Sequence, residues 1–252
     1  ARHEVFDEQM HLAAKETLQL ETDLRRAIDN GEIYVKYQPI FSLSNSKIQG
    51  IEALTRWQHP KLGEISPARF IGIAEEIGII DALGEYILER TCTEVGPILN
   101  TFSQEHGLTL SVNLSCRQFG QPKLVENVTT ILERTKFPAK RLKLEITESI
   151  FFEYQAKAIE MLSQIRELGI EIDIDDFGTG YSNLGYLIRL PISTLKIDRS
   201  FVSPIDSDGN NTEIVKTVLA LARNLGLKTV AEGIETEHQL KALKELGCDG
   251  GQ

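Results

Sequence analysis

Four stretches of the chain alternate apolar and polar residues, and each carries a side chain able to do chemistry. In Leu110-Ser111-Val112-Asn113-Leu114-Ser115, Val112 and Leu114 form one parity while Ser111, Asn113 and Ser115 form the other. Leu142 to Thr147 sets Lys143, Glu145 and Thr147 apart, Ile172 to Asp175 sets Asp173 and Asp175 apart, and Leu195 to Asp198 sets Lys196 and Asp198 apart. Successive side chains of a strand point to opposite faces, so the apolar parity belongs under helices and the polar parity inside a barrel. Asn113, Glu145, Asp175 and Lys196 then converge on one volume. Carboxylates with an amide oxygen, lacking imidazole and thiolate, suit Mg²⁺ or Mn²⁺ better than zinc or copper. A purely structural polar network, with Lys196 paired to Asp198, is the weaker reading, because buried charge of this density is costly without an ion or a function.

The exit of the third stretch adds to this. Asp175 and Asp176 are adjacent carboxylates ahead of a loop with Gly178 and Gly180. They repel each other unless a cation sits between them, although a solvated turn with an Asp helix cap has the same composition. Gly178-Thr179-Gly180 resembles the start of a dinucleotide fingerprint, but the third glycine position holds Asn183 and the carboxylates would repel a pyrophosphate.

The elements that must position these groups follow from periodicity. A helix is expected from Asp7 to Asn30, with Leu18, Leu24, Ala27 and Ile28 on its apolar face. Strands from Tyr34 to Leu43 and from Lys47 to Trp57 are joined by Ser44-Asn45-Ser46, too short for anything but an antiparallel hairpin. Ser66-Pro67 opens a helix that stops near Gly78, and another runs from Asp81 to Val95. From Leu108 onward strands alternate with helices at Lys123–Thr135, Glu153–Leu168, Thr212–Leu225 and Glu237–Leu246, with Lys228 to Ala231 as the last strand. Gly169, Gly226 and Gly247 read as helix stops. The pattern is α/β with a parallel sheet, and a barrel rather than an open sheet because the chemistry clusters at one end of the strands.

Composition narrows the function classes. The 252 residues carry 27 Lys and Arg against 37 Asp and Glu, a formal charge of −10, so a general nucleic-acid binder is not expected. Three widely spaced cysteines and five histidines form neither a C-x-x-C pair nor H-E-x-x-H, which argues for a reducing, cytoplasmic setting without a zinc site. No apolar run is long enough for a membrane span.

Glu52-Ala53-Leu54 with Thr55-Arg56 resembles the signature of the EAL-domain family of cyclic di-GMP phosphodiesterases. The resemblance continues, in the family's order, through Tyr37-Gln38-Pro39-Ile40, Ser111 to Ser115, Leu144-Glu145-Ile146-Thr147-Glu148, Asp175-Asp176-Phe177-Gly178-Thr179-Gly180, Leu195 to Asp198 and Ala231-Glu232-Gly233-Ile234-Glu235. It covers about Ile33 to Gln252. It implies a modified TIM-like (β/α)8 barrel whose first strand is antiparallel. It also divides the chain into a linker helix over residues 1–30 and an EAL domain over 31–252. The family continues through a final strand and helix where this sequence stops at Gln252, which leaves barrel closure open. Ala1 to about Met10 resembles the tail of a GGDEF domain, implying an upstream GGDEF or sensory domain.

The resemblance also implies roles. Glu52, Asn113, Glu145 and Asp175 would hold one metal, and Asp175 would bridge to a second held by Asp176 with help from Glu232. Lys196 would position the attacking water, with Asp198 and Glu235 in support; Gln38, Leu54, Arg56 and Gln252 would contact the substrate. Glu148 would fix the loop from Asp176 to Leu187, which the family also uses at a homodimer contact. The expected reaction is hydrolysis of one 3′–5′ linkage of cyclic di-GMP to linear pGpG with two Mg²⁺ or Mn²⁺ ions. One rival is a receptor module that binds cyclic di-GMP without turnover, although neither the metal ligands nor the lysine is missing. An enolase-like barrel, which also uses carboxylates and a lysine, gives Arg56 and Gln38 nothing to do.

Overall fold

The alternating stretches are the strands of a closed barrel. The computed structural model describes residues 8–101, 107–148, 155–179, 184–206 and 209–252. The strands are β1 (Ile33–Ser42), β2 (Ile48–His59), β3 (Gly63–Ile65), β4 (Thr109–Asn113), β5 (Leu142–Thr147), β6 (Glu171–Phe177), β7 (Thr194–Ile197), β8 (Lys228–Ala231) and β9 (Gly250–Gly251). They run in the order β1-β9-β8-β7-β6-β5-β4-β2-β3, and a β1–β2 pairing closes the ring. From β2 through β4 to β9 the ring is parallel, while β1 joins β9 antiparallel. The hairpin between β1 and β2 turns at Ser46, which has φ 58°, with the Lys47 amide donating to Asn45 Oδ1 at 2.9 Å.

Contacts divide the chain into two compact units, Ala1–Lys36 with Thr55–Ile87, and Tyr37–Leu54 with Leu88–Gln252. In the first, helix α1 (Glu8–Ala27) packs on α2 (Pro67–Glu76). Trp57 is fully buried there, edge-on to Phe70 and His59, and its indole N–H donates to Glu32 Oε2 at 3.0 Å. The inward face of α1 is Leu20, Leu24 and Ala27, spaced one helical turn apart. Leu18, expected on that face, is 64% exposed. Helical spacing allows either stripe, and the position of α2 selects the one through Leu20.

The second unit holds the barrel pairings. Its outward parity, including Leu110, Leu142, Leu144, Ile172, Ile174, Leu195 and Ile197, is buried. The covering helices include Leu124–Thr135, Gln155–Glu167, Gly209–Leu225 and Glu237–Leu246, close to their expected spans. The start expected at Glu153 lies outside the described residues. Gly169, Gly226 and Gly247 end their helices with φ of 90°, 69° and 75°. Between Ile174 and Phe177 the β6–β7 register shifts, and such a bulge bends a strand and re-aims its side chains next to Asp175 and Asp176.

Closure, left open by the sequence, is made by two residues. Gly250 and Gly251 pair with Ser42 and Phe41 on one side and with Val230 and Ala231 on the other. A Cβ at Gly251 would lie 2.5 Å from Ile234 Cδ1 and 3.0 Å from Leu43 Cδ2, so a side chain there would force both of those side chains to move. Gly251→Val should therefore cost about 1–3 kcal/mol through overpacking. Urea unfolding followed by circular dichroism reads this directly, and a midpoint equal to the parent's would show that the seam tolerates a side chain.

Candidate metal and catalytic centre

Asn113, Glu145, Asp175 and Lys196, the inward parity of β4 to β7, come together towards the C-terminal ends of the strands. Lys196, third in β7 and 1% exposed, extends its ammonium into a ring of carboxylates. Nζ lies 2.6 Å from Glu232 Oε1, 2.7 Å from Glu145 Oε2, 3.1 Å from Asp175 Oδ1 and 3.2 Å from Glu52 Oε2. The pairing with Asp198 considered above is not among these. Asn113 Nδ2 donates to Glu52 Oε1 at 2.8 Å, which brings the last residue of β4 into the same cluster. Glu52 is 4% exposed, placed by β2 through its parallel pairing with β4.

Four carboxylates around one ammonium leave three negative charges when all are ionised. Burial alone would depress Lys196, yet Glu145, Asp175, Glu52 and Glu232 hold its ammonium well above the ordinary range. Burial raises the Glu145 carboxyl against the pull of Lys196, and the carboxylates of Glu52 and Asp175 add to the rise. Burial raises Glu232 to about 7 despite Lys196, helped by Asp175 and Glu52. Partial burial, then the charges of Asp175 and Asp198, raise Asp176 to about 6. Each of these upward shifts comes first from burial and then from neighbouring carboxylates, and a cation at the cluster would offset both.

The donors fit a hard divalent ion. Glu52, Glu145 and Asp175 offer oxygens within 4.8 Å of one another, as do Asp175, Asp176 and Glu232, so Asp175 belongs to both groups. Glu145 Oε1 is buried with no hydrogen-bond partner, a cost that one coordinated cation would remove. Asp176 takes φ 54°, a left-handed conformation that Asp tolerates better than most residues, and its amide donates to Asp175 Oδ1 at 3.1 Å.

The remaining expected residues fall into three groups. Glu148, 6% exposed, accepts the Gly178 amide at 2.9 Å and so anchors the start of the loop; residues 180–183 lie outside the described residues. Gly178 has φ 99°, and a Cβ there would come 2.9 Å from Phe201. Asp198 caps the turn Arg199–Val202 by accepting the Ser200 amide at 3.0 Å, while Glu235 is exposed ahead of the helix Glu237–Leu246 and is not among the ion-pair partners of Lys196 in the described residues. Gln38 is exposed on β1 and Leu54 half-buried on β2. Arg56, in the first unit, pairs with Glu64 Oε1 at 3.5 Å and donates to its neighbour's carbonyl. At Gln252, expected at the substrate, Nε2 donates to Glu52 Oε2 at 2.7 Å, and Oε1 is buried and unpartnered.

A second charged layer, which no motif marks in the sequence, lies below the first. Lys143 Nζ reaches Asp173 Oδ2 at 2.9 Å, Glu171 Oε2 at 3.1 Å and Thr194 Oγ1 at 3.1 Å, nearer the N-terminal ends of the strands. The same parity that marked Glu145 marks Lys143, and only its depth separates the two.

Comparison with known proteins agrees with this geometry. The EAL domain family matches residues 21–252. Cyclic di-GMP phosphodiesterase NbdA of Pseudomonas aeruginosa is 40% identical over 244 residues, covering 97% of this chain and 31% of that protein. The chain spans about a third of the length of the curated relatives it matches. Among solved structures, the PaMucR phosphodiesterase in complex with c-di-GMP superposes with a TM-score of 0.87 at 41% identity, over 93% of this chain and 94% of that one. The EAL enzyme Bd1971 in its cAMP- and cyclic-di-GMP-bound form gives 0.90 at 38% identity, over 95% of this chain and 65% of that one. With its barrel, its antiparallel first strand and its carboxylate ring in the matching segment, the chain belongs to the EAL domain family.

Proposed function

We propose that this chain is a metal-dependent phosphodiesterase domain that hydrolyses one 3′–5′ linkage of cyclic di-GMP to linear pGpG. The observation that carries the reading is the Lys196 ammonium held by four carboxylates at the C-terminal mouth of the barrel. It is supported by the name of the relative NbdA and by the cyclic di-GMP complex of the PaMucR structure.

Glu52, Asn113, Glu145 and Asp175 would hold one divalent ion, and Asp175, Asp176 and Glu232 a second. Bound there, Mg²⁺ or Mn²⁺ would screen the anionic substrate from the acidic ring, lower the pKa of water and stabilise the entering and leaving oxygens. In the reaction the water oxygen bonds to phosphorus, the bond to the 3′ oxygen breaks, and that oxygen takes up a proton. Lys196 keeps a positive charge beside the attacking oxygen and orients it. Arg56 offers phosphate a planar two-donor fork that lysine would not match. Gln38 and Leu54 flank the substrate. Gln252 does two things in this reading: Nε2 fixes the Glu52 carboxylate, and Oε1 accepts a donor from the nucleotide. Asp198 and Glu235 lie outside the Lys196 ring and act as support. Glu148 holds the loop whose far part would meet a second copy in a homodimer. Residues 1–30 would link the domain to an upstream signalling module.

Incubating the chain with cyclic di-GMP and Mg²⁺ or Mn²⁺ should yield pGpG by chromatography, and chelation should stop it. Intact substrate after prolonged incubation would instead favour a receptor without turnover. Glu52→Ala, Asp175→Ala and Lys196→Ala should each lower kcat/KM by about 10²-fold or more. Lys196→Ala should also lose about 3–5 kcal/mol of stability in chelator, where its partners are left as unpaired buried charges. Divalent metal should restore much of that loss in a thermal melt. A Lys196→Ala protein turning over at the parent's rate would remove the lysine from the mechanism. Glu145→Gln should abolish the metal-induced rise in Tm that linkage requires of any ion bound only to the folded state.

A further inference from the structure

The barrel has a second opening. At the N-terminal ends of the strands, opposite the carboxylate ring, lies a cavity of about 410 Å³. Barrel interiors are usually filled by branched apolar side chains. Here the corresponding layer is Lys143, Asp173 and Thr194, with Glu145 and Lys196 forming the ceiling.

The charges around this cavity are not evenly satisfied. Inside, Lys143 is committed to Asp173, Glu171 and Thr194, and Lys196 to the carboxylates above it. Asp249 accepts from the Thr229 amide at 2.9 Å and hydroxyl at 3.0 Å. Around the rim stand Lys140, Arg141 and Lys228, the first two in the turn Ala139–Arg141 that leads into β5 and the third opening β8. None of the three makes an ion pair among the described residues; the contact of Arg141 is a hydrogen bond to the Leu108 carbonyl at 3.4 Å. On a chain of charge −10, the lining sets Lys140, Arg141, Lys143, Lys196 and Lys228 against Glu145, Glu171, Asp173 and Asp249, a small positive excess that is concentrated at the rim.

We propose that the barrel floor is a binding site for a small phosphomonoester. A phosphate monoester carries between one and two negative charges near neutral pH, matching a rim whose cations have no anionic partner among the described residues. Arg141 supplies the fork geometry that phosphate oxygens accept, and Lys140 and Lys228 act as mobile point charges. The volume lies within the range of about 300–1,000 Å³ typical of small-molecule pockets, so there is room for a body beyond the phosphate. That body is hydrophilic, because Gln49, Thr109 and Asp249 line the wall and charged groups form the ceiling. Lys143 sits two residues before Glu145 on β5 and Asp173 two before Asp175 on β6, so a ligand seated against this layer lies directly beneath the carboxylate ring.

Isothermal titration with ribose 5-phosphate, run once with Mg²⁺ and once with chelator, tests the assignment, with inorganic phosphate and ribose as comparison probes. Saturable binding under both conditions is expected, weakened by about tenfold or more in the Arg141→Ala/Lys228→Ala double variant, as for loss of charged hydrogen bonds. Both substitutions are at the rim, outside the packed layers. The proposal is overturned if no saturable heat appears, if binding requires Mg²⁺ and so belongs to the carboxylate ring, or if the double variant binds as the parent does. Equal affinity for inorganic phosphate or for ribose would likewise reject a phosphomonoester as the ligand.

Discussion

One buried ammonium governs the upper half of the barrel. Lys196 touches carboxylates delivered by β2, β5, β6 and the segment after β8, so four separate parts of the chain must arrive in register to satisfy it. Taking such charges out of water costs several kcal/mol per ion, repaid only where geometry is good and remaining lone pairs find donors. Asn113 and Gln252 provide two of those donors at Glu52. The residual negative charge is what makes the cluster receptive to cations rather than merely tolerable. β7 shows how the fold accommodates this: all four of its residues are buried, Leu195 and Ile197 under the helices and Lys196 within the ring.

The loop after β6 inherits its shape from the same demand. A register shift next to Asp175, a left-handed Asp176 and a positive-φ Gly178 held by Glu148 turn the chain sharply where two carboxylates must both face the mouth. Gly178 has no room for a side chain against Phe201, so the turn is fixed by packing as well as by hydrogen bonds. Strain concentrated beside a site is the usual mark of a conformation selected for what it positions.

Much of this was legible in the sequence, and the exceptions have physical reasons. β4 to β8 declare themselves because one face packs under helices and the other lines a polar interior, so parity alone sorts Asn113, Glu145, Asp175 and Lys196 inward. Glu52 escapes the same test: the twelve-residue β2 extends from one unit into the other, and its residues face different surroundings along its length. Its assignment came from the ordered motifs instead. β9 is invisible because two glycines carry no hydrophobic pattern, and β3 because three residues are too few to show a period. On α1 the choice between the stripes of Leu18 and Leu20 depended on a partner helix that periodicity cannot see. The Lys143–Asp173 layer was written in the alternation, but depth along a barrel axis is not.

The hydrogen bond from Gln252 to Glu52 joins residues 200 positions apart. Contacts of such separation form late in folding, since the entropy of closing the intervening chain must be met before they contribute anything. The residue that orients a carboxylate of the ring is thus also the one that follows the seam strand. A half-folded barrel, however native its central strands, would leave Glu52 without one of its donors, so the full order of the mouth depends on the whole cylinder having shut.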